Sequence, residues 1–152
     1  MPLIGRERLG LAIDDLVGVT NDDLRGVYLA GLKNIVQGTP ADSGRARNNW
    51  FLTVGAPSNK TTTSASVGGG GSLSQAGKMP KDVLHNKIFF TNNLPYIGVL
   101  EYGGFPSPVE KGSYIKRSGR FEILSINGFS KQAPGGWVRK TIIQMGNKIR
   151  SL

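Results

Sequence analysis

Few residues in this chain have side chains that could serve as a catalytic nucleophile, a general base or a metal ligand. The 152-residue sequence contains no cysteine and a single histidine, His85. Cysteine nucleophiles, disulfides and thiolate metal sites are therefore excluded, and a histidine-rich metal centre is excluded within one chain. A catalytic triad would need His85 to activate a serine, and no Gly-x-Ser-x-Gly turn is present to hold one. We interpret His85 as a surface or strand-edge residue.

Two other patterns suggest acid–base chemistry or phosphate binding, and each has a simpler interpretation. The pairs Asp14–Asp15 and Asp22–Asp23 are adjacent in sequence, so on a helix their side chains point in different directions. The stretch Gly71–Lys78 resembles a phosphate-binding loop, but its glycine spacing is wrong, and Met79 replaces the serine or threonine that would reach Mg²⁺. We therefore expect no enzymatic activity, no cofactor and no metal site.

Asp42 differs from the other carboxylates because it stands in a predicted turn. Its side chain can accept hydrogen bonds from the backbone N–H groups that follow it, or it can pair with Arg45 or Arg47. We interpret this arrangement as structural. A hydrolase or nuclease that uses Asp42 with His85 is the alternative with the least support.

Glu101 and Tyr102 end a predicted short helix, immediately before two glycines. An inward Glu101 would form a salt bridge with an arginine across a fold or subunit boundary, whereas an outward one would be exposed; both remain open. Trp50 and Trp137 each begin an element, which favours core packing, although tryptophan is also common at interface centres. The candidate structural or interface residues are Asp42, Arg45, Arg47, Trp50, Tyr96, Glu101, Tyr102, Trp137 and Arg139.

Hydrophobic spacing and turn residues predict the elements that position these side chains. We expect a single α+β domain over residues 1–152, with a small antiparallel or mixed sheet packed by an N-terminal and a C-terminal helix. Long Gly/Ser-rich loops would join the elements, and residues 56–82, which include four consecutive glycines, are expected to be a flexible loop. The predicted elements are helices at 21–37, 93–102 and 137–150, and strands at 50–54, 87–92 and 121–126.

Capping residues set the expected starts of the first two helices. Thr20 or Asn21 would cap the first long helix, which leaves residues 1–20 as an N-terminal arm or a short helix. Asn93 would cap the short helix, on which Tyr96 packs inward.

The net charge of +9 is unevenly distributed. Residues 1–42 contain four basic and six acidic residues, whereas residues 43–152 contain fifteen basic and four acidic residues. The basic excess fits a solvated surface, contact with nucleic acid, or docking against an acidic neighbouring subunit. We find neither an apolar run long enough to span a bilayer nor a signal peptide, so we expect a location in the cytoplasm or in an assembly built there.

Three separated stretches carry a family resemblance: TPADSGRARNNW (39–50), FTNNLPYIGVLEYGG (90–104) and SKQAPGGWVRKTI (130–142). In order and spacing they resemble the neck and tail-completion proteins of long-tailed bacteriophages, the group similar to minor tail protein Z. That family carries a T-P-x-D-T-G-x-L-R-x-S-W turn, an N-x-x-P-Y-A-x-x-L-E-Y-G segment and a Q-A-P-x-G-M-V-R start to its last helix. This chain has Ser43 for threonine, Ala46 for leucine and Trp137 for methionine. The matching residues are Thr39, Pro40, Asp42, Gly44, Arg47, Trp50, Asn93, Pro95, Tyr96, Leu100, Glu101, Tyr102, Gly103, Gln132, Ala133, Pro134, Gly136, Val138 and Arg139.

The resemblance implies a structural virion protein that forms a ring at the head-proximal end of the tail and joins the tail to the head. Its implied partners are further copies of itself in a hexamer, the adjacent neck or connector ring, and the tail terminator or tail tube protein. Double-stranded DNA would pass through the lumen, no membrane would be involved, and assembly would take place in the host cytoplasm. No catalytic residue is implied.

The basic surplus keeps a small nucleic-acid-binding protein as the alternative. Against it, aromatic and basic residues are sparsely interleaved, and no helix-turn-helix or RNP-like pattern is present. The same charge split also suggests that the acidic N-terminal third of one subunit meets the basic remainder of the next.

Overall fold

A computed structural model describes residues 4–152, in which the two long helices at the ends of this range pack on each other and three small sheets and several loops lie between them in sequence. The predicted α+β class is confirmed. The helices are α1 (Ile4–Gly38), α2 (Gly70–Leu73), α3 (Ile97–Tyr102) and α4 (Val138–Arg150), with a 3-10 helix at Ser74–Lys78. The strands are β1 (Phe51–Val54), β2 (Ile88–Thr91), β3 (Ser113–Ile115), β4 (Arg120–Glu122), β5 (Ser125–Ile126) and β6 (Phe129–Ser130).

Each sheet is a pair of antiparallel strands: β1 with β2, β3 with β4, and β5 with β6. The β1–β2 pair lies against the core, and its buried Leu52 stands opposite Phe90. The predicted strand at 121–126 is divided between β4 and β5, which belong to different pairs. After β5, Asn127 and Gly128 both have positive φ and form the two-residue turn that pairs β5 with β6.

Helix α1 is longer than predicted, since it begins at Ile4 and continues without a break to Gly38. The expected arm or short helix at 1–20 is therefore part of α1 from residue 4 onward, and residues 1–3 lie outside the described residues. Neither predicted cap acts as one. The Thr20 hydroxyl donates to the Leu16 carbonyl one turn earlier (2.9 Å), and Asn21 Oδ1 accepts from the backbone N–H of Val83 (2.7 Å).

The hydrophobic core lies between the second half of α1, the β1–β2 pair and the start of α4. Trp50 and Trp137 are both buried there, and the Trp50 ring stacks on Phe90 with 5.0 Å between centroids. Burying the two indole rings removes apolar area of the order of 150–250 Å² each from water, so they dominate this core. Their predicted packing role is confirmed.

The short helix α3 begins at Ile97. A cap at Asn93 would start the helix at residue 94, three residues earlier. Asn93 does not cap it, because its side-chain amide donates to the backbone carbonyls of Ser58 (2.8 Å) and Lys60 (3.0 Å). Tyr96 was predicted to pack inward, but its side chain is 38% exposed.

Residues 56–82, which composition predicts to be a flexible loop, contain α2 and the 3-10 helix and bury Gly69, Ser72 and Met79. The tetraglycine leads into α2, and Ser72 in that helix is fully buried, where its hydroxyl accepts from the backbone N–H of Trp50 (2.8 Å). The Asn49 side chain holds Thr62 through two hydrogen bonds, of 2.8 and 3.0 Å. Asn48 Oδ1 accepts from the N–H of Gly71 (2.8 Å). Two buried asparagines thus supply the partners that the segment's own polar backbone needs.

Candidate functional site

Glu101 connects the second and third motif stretches. Its side chain lies at the end of α3 and is only 7% exposed. Its Oε2 accepts hydrogen bonds from the backbone N–H groups of Trp137 (2.8 Å) and Val138 (2.9 Å), and its Oε1 accepts from the backbone N–H of Arg139 (3.0 Å). The first N–H groups of a helix have no acceptor within the helix. A carboxylate from α3 therefore caps α4, at the end where the helix dipole favours negative charge.

Glu101 has the inward orientation, one of the two that the sequence left open. Arg139 is its ion-pair partner across the fold. Its Nε donates to Glu101 Oε1 (2.9 Å), and its Nη2 donates to the Glu101 backbone carbonyl (3.0 Å). The guanidinium also lies over the Tyr102 ring, 4.7 Å from its centroid, in cation–π geometry. Tyr102 is largely exposed, so this stacked pair forms the outer face of the junction.

The surroundings of Glu101 lower its pKa below the ordinary value of 4.5. Burial alone acts in the opposite direction and raises this pKa, because it penalises the charged form. The backbone N–H groups of Arg139, Trp137 and Val138 and the Arg139 side chain stabilise the carboxylate and outweigh burial. Glu101 is thus held as an anion, and it is suited to holding a helix end and not to donating a proton.

Gly136 makes the close approach of α3 and α4 possible. Its φ is +83°, a conformation that side chains rarely adopt. A Cβ at this position would also overlap the Glu101 carbonyl oxygen and would lie 2.8 Å from Glu101 Oε2. Position 136 in the third motif stretch must therefore be glycine, because Glu101 of the second stretch occupies the space that a side chain would need.

The first motif stretch joins the same core at the C-terminal end of α1. The buried Thr39 hydroxyl donates to the Ile35 carbonyl (2.7 Å) and accepts from Trp50 Nε1 (2.9 Å). Trp137 Nε1 donates to the same Ile35 carbonyl (3.0 Å). Both indole N–H groups are thereby satisfied around the last turn of α1, where carbonyl groups lack helical partners.

Asp42 does not form the contacts predicted for it. Among residues 4–152, no ion pair joins it to Arg45 or Arg47. The Ser43 hydroxyl, not the Asp42 carboxylate, accepts from the backbone N–H of Arg45, at 3.4 Å. Arg47 donates instead to the backbone carbonyls of Thr39 (2.9 Å) and Val67 (2.6 Å), and so ties the turn to the 56–82 segment. Backbone carbonyls compete successfully for this guanidinium because they would otherwise lack partners.

Two polar residues outside the candidate set also hold the motif stretches together. Gln132 pairs with the backbone of Ala41 through both ends of its amide, each bond being 2.9 Å. Asn92 donates to the Ala46 carbonyl at 2.9 Å. Gln132 belongs to the Q-A-P-x-G part of the resemblance, and that match was the available signal for its role. With Pro95 fixed, the N-x-x-P spacing of the second motif places its asparagine at position 92 and not at 93, and that spacing was the available signal for Asn92.

A groove of about 420 Å³ lies beside this junction, between the 40–46 turn and the β3–β6 region. Asp42, Arg45 and Tyr96 line it, so the structure brings these three candidate residues to one surface. Leu100 and Phe105 contribute apolar walls. Asp42 is the only carboxylate among the lining residues, and the lining contains no histidine. The groove therefore offers area for contact.

His85 lies on the surface, as interpreted from the sequence, and its partner is Asp82 and not Asp42. The ring Nδ1 is 3.0 Å from Asp82 Oδ2, and Asn21 on α1 donates to the same carboxylate at 3.3 Å. These bonds tie the 82–86 loop to α1.

Within the part of the chain that the structure describes, no group of three or more histidine or acidic side chains is arranged to bind a metal ion. No helix among residues 4–152 has the length and apolarity to cross a membrane.

The chain matches no protein-family model, and no curated protein or solved structure is significantly similar to it. The resemblance of the three motif stretches to phage neck proteins therefore stays a prediction.

Proposed function

We propose that the protein is a structural subunit of a tailed-phage virion. In this proposal, copies assemble into a hexameric ring at the head-proximal end of the tail and join the tail to the head. One observation carries the proposal: the residues of the three motif stretches meet in one buried polar junction. The Glu101 carboxylate accepts from the backbone of Trp137, the Trp137 indole donates to the Ile35 carbonyl, and the Thr39 hydroxyl bonds to that same carbonyl and to the Trp50 indole. These polar groups hold elements of the subunit together, which is the role expected of a structural protein.

The surface of the subunit also suits a ring. A closed ring repeats one head-to-tail contact, so each subunit needs two different faces that fit one another. The first half of α1 has exposed apolar side chains, whereas the remainder of the chain has a basic surplus. The groove beside Asp42 and Tyr96 is a further surface that an adjacent neck or connector ring, or a tail terminator or tube protein, can contact.

The test is the assembly state of the purified chain, alone and with tails that lack this protein. Native mass spectrometry and electron microscopy should show a ring of defined stoichiometry, or a ring that forms on the tail end. Glu101→Gln, which weakens the junction, should reduce the yield of rings, whereas Glu110→Gln, an exposed glutamate, should not. A chain that remains monomeric under both conditions contradicts the proposal.

A second candidate function, nucleic-acid binding, is favoured by the β3–β4 hairpin. Residues 111–120 contain four basic residues and no acidic one. Two exposed aromatic rings lie on the same hairpin, Tyr114 and Phe121, with 5.4 Å between centroids. Lys111 Nζ lies 5.5 Å from the Phe121 centroid. Clustered cations and exposed rings are the groups that contact phosphates and bases.

Binding of duplex and single-stranded DNA at two salt concentrations separates the two candidates. If the hairpin binds DNA, removal of two positive charges by Lys116→Ala with Arg117→Ala should weaken binding and flatten its salt dependence. The matched control is Lys81→Ala with Lys87→Ala, two exposed lysines away from the hairpin. Equal binding by both variants excludes the hairpin as the DNA-binding surface.

A further inference from the structure

The first half of α1 exposes large apolar side chains that no other part of the described chain covers. Ile13, Leu16 and Val19 are 51%, 66% and 60% exposed, and Val17 is exposed as well. Ile13 and Val17 continue, at helical spacing, the stripe that is buried further along α1 at Val27 and Leu32. A stripe that is buried at one end of a helix and exposed at the other indicates a missing partner for the exposed end.

The α4 helix of the same chain does not reach this surface. Trp137, just before α4, contacts Ile35, and Met145, eight residues later, lies against Gly31, so the two helices run antiparallel. Val17 is fourteen residues before Gly31, which corresponds to about 21 Å along the helix axis. From Met145 to Arg150, where α4 ends, the helical rise covers only about 8 Å of that distance. The first half of α1 therefore projects beyond its own α4.

The outer face of α4 has the matching properties. Ile142 and Ile149 are exposed, and because they are seven residues apart they lie on one strip of the helix; Ile143 is exposed about 100° further around it. Residues 138–152 contain four basic residues and no acidic one, whereas residues 10–24 contain four acidic residues and no basic one. The two surfaces are also alike in length, since each is a helical segment about 20 Å long. Each thus offers an apolar strip, and the charges beside the two strips are opposite in sign.

We propose that residues 10–24 of α1 in one copy pack against the outer face of α4 in a second copy. The contact joins two different surfaces of the same chain, so it is head-to-tail and can close into a ring. The inference rests on the proposed ring function and assigns the two faces of its subunit interface. Complementary charges flanking an apolar strip set which surfaces meet and in which direction.

Charge reversal tests the pairing, with a control built into the helix. At about 100° per residue, Asp14 and Asp23 lie on either side of the Ile13–Val17 strip, whereas Asp15 and Asp22 lie on the opposite side of α1. Asp14→Lys with Asp23→Lys should weaken self-association at least about tenfold, and Asp15→Lys with Asp22→Lys should have a smaller effect. All four aspartates are exposed, so the fold should be retained, which circular dichroism checks.

The complementary variant is Lys148→Glu with Arg150→Glu on α4, which should also weaken self-association. An equimolar mixture of this variant with Asp14→Lys/Asp23→Lys should assemble again, because each reversed surface then meets a reversed partner. Rescue by mixing supports the inference. Loss of assembly without rescue means that α1 contacts a different protein, and it overturns the inference.

Cross-linking gives a second, independent measurement, because the natural chain has no cysteine. A mixture of Val17→Cys and Ile142→Cys should form a disulfide-linked dimer of the two variants under mild oxidation, and a Val67→Cys and Ile142→Cys mixture should not. Absence of the first product from rings that have formed overturns the inference and leaves the ring proposal intact. A wild-type chain that never forms rings counts against the ring proposal itself.

Discussion

The Oε2 atom of Glu101 lies 2.8 Å from the backbone nitrogen of Trp137, so the last turn of α3 holds the first turn of α4. The two residues are separated by thirty-six positions in the chain. No local capping residue is available at the start of α4, where the N-cap position is taken by Trp137 itself and no side-chain cap bond is formed from it. The carboxylate of Glu101, which is distant in sequence, therefore caps α4 in place of the serine or aspartate that is usual at a helix start.

Replacement of Glu101 tests the strength of this junction. Glu101→Gln should lower the free energy of unfolding by about 2–3 kcal/mol, because it removes the charge from several hydrogen bonds and places a donor beside backbone N–H groups. Urea unfolding of the two proteins measures the difference. Glu110→Gln serves as the control, since Glu110 is exposed, and it should change stability by less than about 0.5 kcal/mol. Equal stability of the Glu101 variant and the wild type would refute the capping role.

The stability of the wild-type chain should depend on pH through the same residue. The pKa of Glu101 is lower in the folded chain than its ordinary value of 4.5, so its contribution is present above that value. The contribution is lost as the pH falls below 4.5 through the lower pKa of the folded state. Unfolding free energies of the wild type and Glu101→Gln should therefore differ at neutral pH and converge in acid. A difference that stays constant across this range contradicts the assignment.

The adjacent glycines before α4 provide a matched pair of substitutions. Gly135 and Gly136 both have positive φ, but a Cβ at Gly135 meets only the Lys140 side-chain nitrogen, at 3.6 Å. Gly135→Ala should lower the free energy of unfolding by about 1–2 kcal/mol, from backbone strain alone. Gly136→Ala should lower it by about 1–3 kcal/mol more, because the new methyl group overlaps Glu101. Thermal or urea unfolding measures both, and equal losses would show that Gly136 is not in close contact with Glu101.

A second matched pair tests whether the 56–82 segment is packed on the first motif turn. Gly44 and Gly55 have φ of +84° and +89°, so both carry the same backbone strain when substituted. A Cβ at Gly44 would overlap the backbone of Ser66, whereas a Cβ at Gly55 would meet nothing within 4 Å. Gly44→Ala should therefore be less stable than Gly55→Ala by about 1–3 kcal/mol. If the two variants unfold together, the segment is not held against the turn.

Periodic parts of the fold were predictable because their signals are local. The apolar spacing of α4 and of the second half of α1, and the apolar runs of β1 and β2, follow directly from helix and strand periods. Asn127-Gly128 is a strong hairpin signal that could have located the β5–β6 pair, and the sequence analysis did not use it.

The remaining features depend on contacts between distant residues. The flexible-loop prediction for 56–82 was based on glycine and serine content, but Asn48 and Asn49 supply hydrogen-bond partners that composition does not reveal. Likewise, the orientation of Glu101 depends on where α4 begins in space. Arg139 was among the candidate residues, yet its partner could be identified only from the fold.

We propose that copies of this chain form a ring at the head-proximal end of a phage tail. Electron cryomicroscopy of intact virions, with the subunit density fitted by residues 4–152, tests it most directly. We expect a closed ring between the head and the tail, with residues 10–24 of each copy lying against α4 of the next. Virions and tails whose neck contains no density for this chain would contradict it.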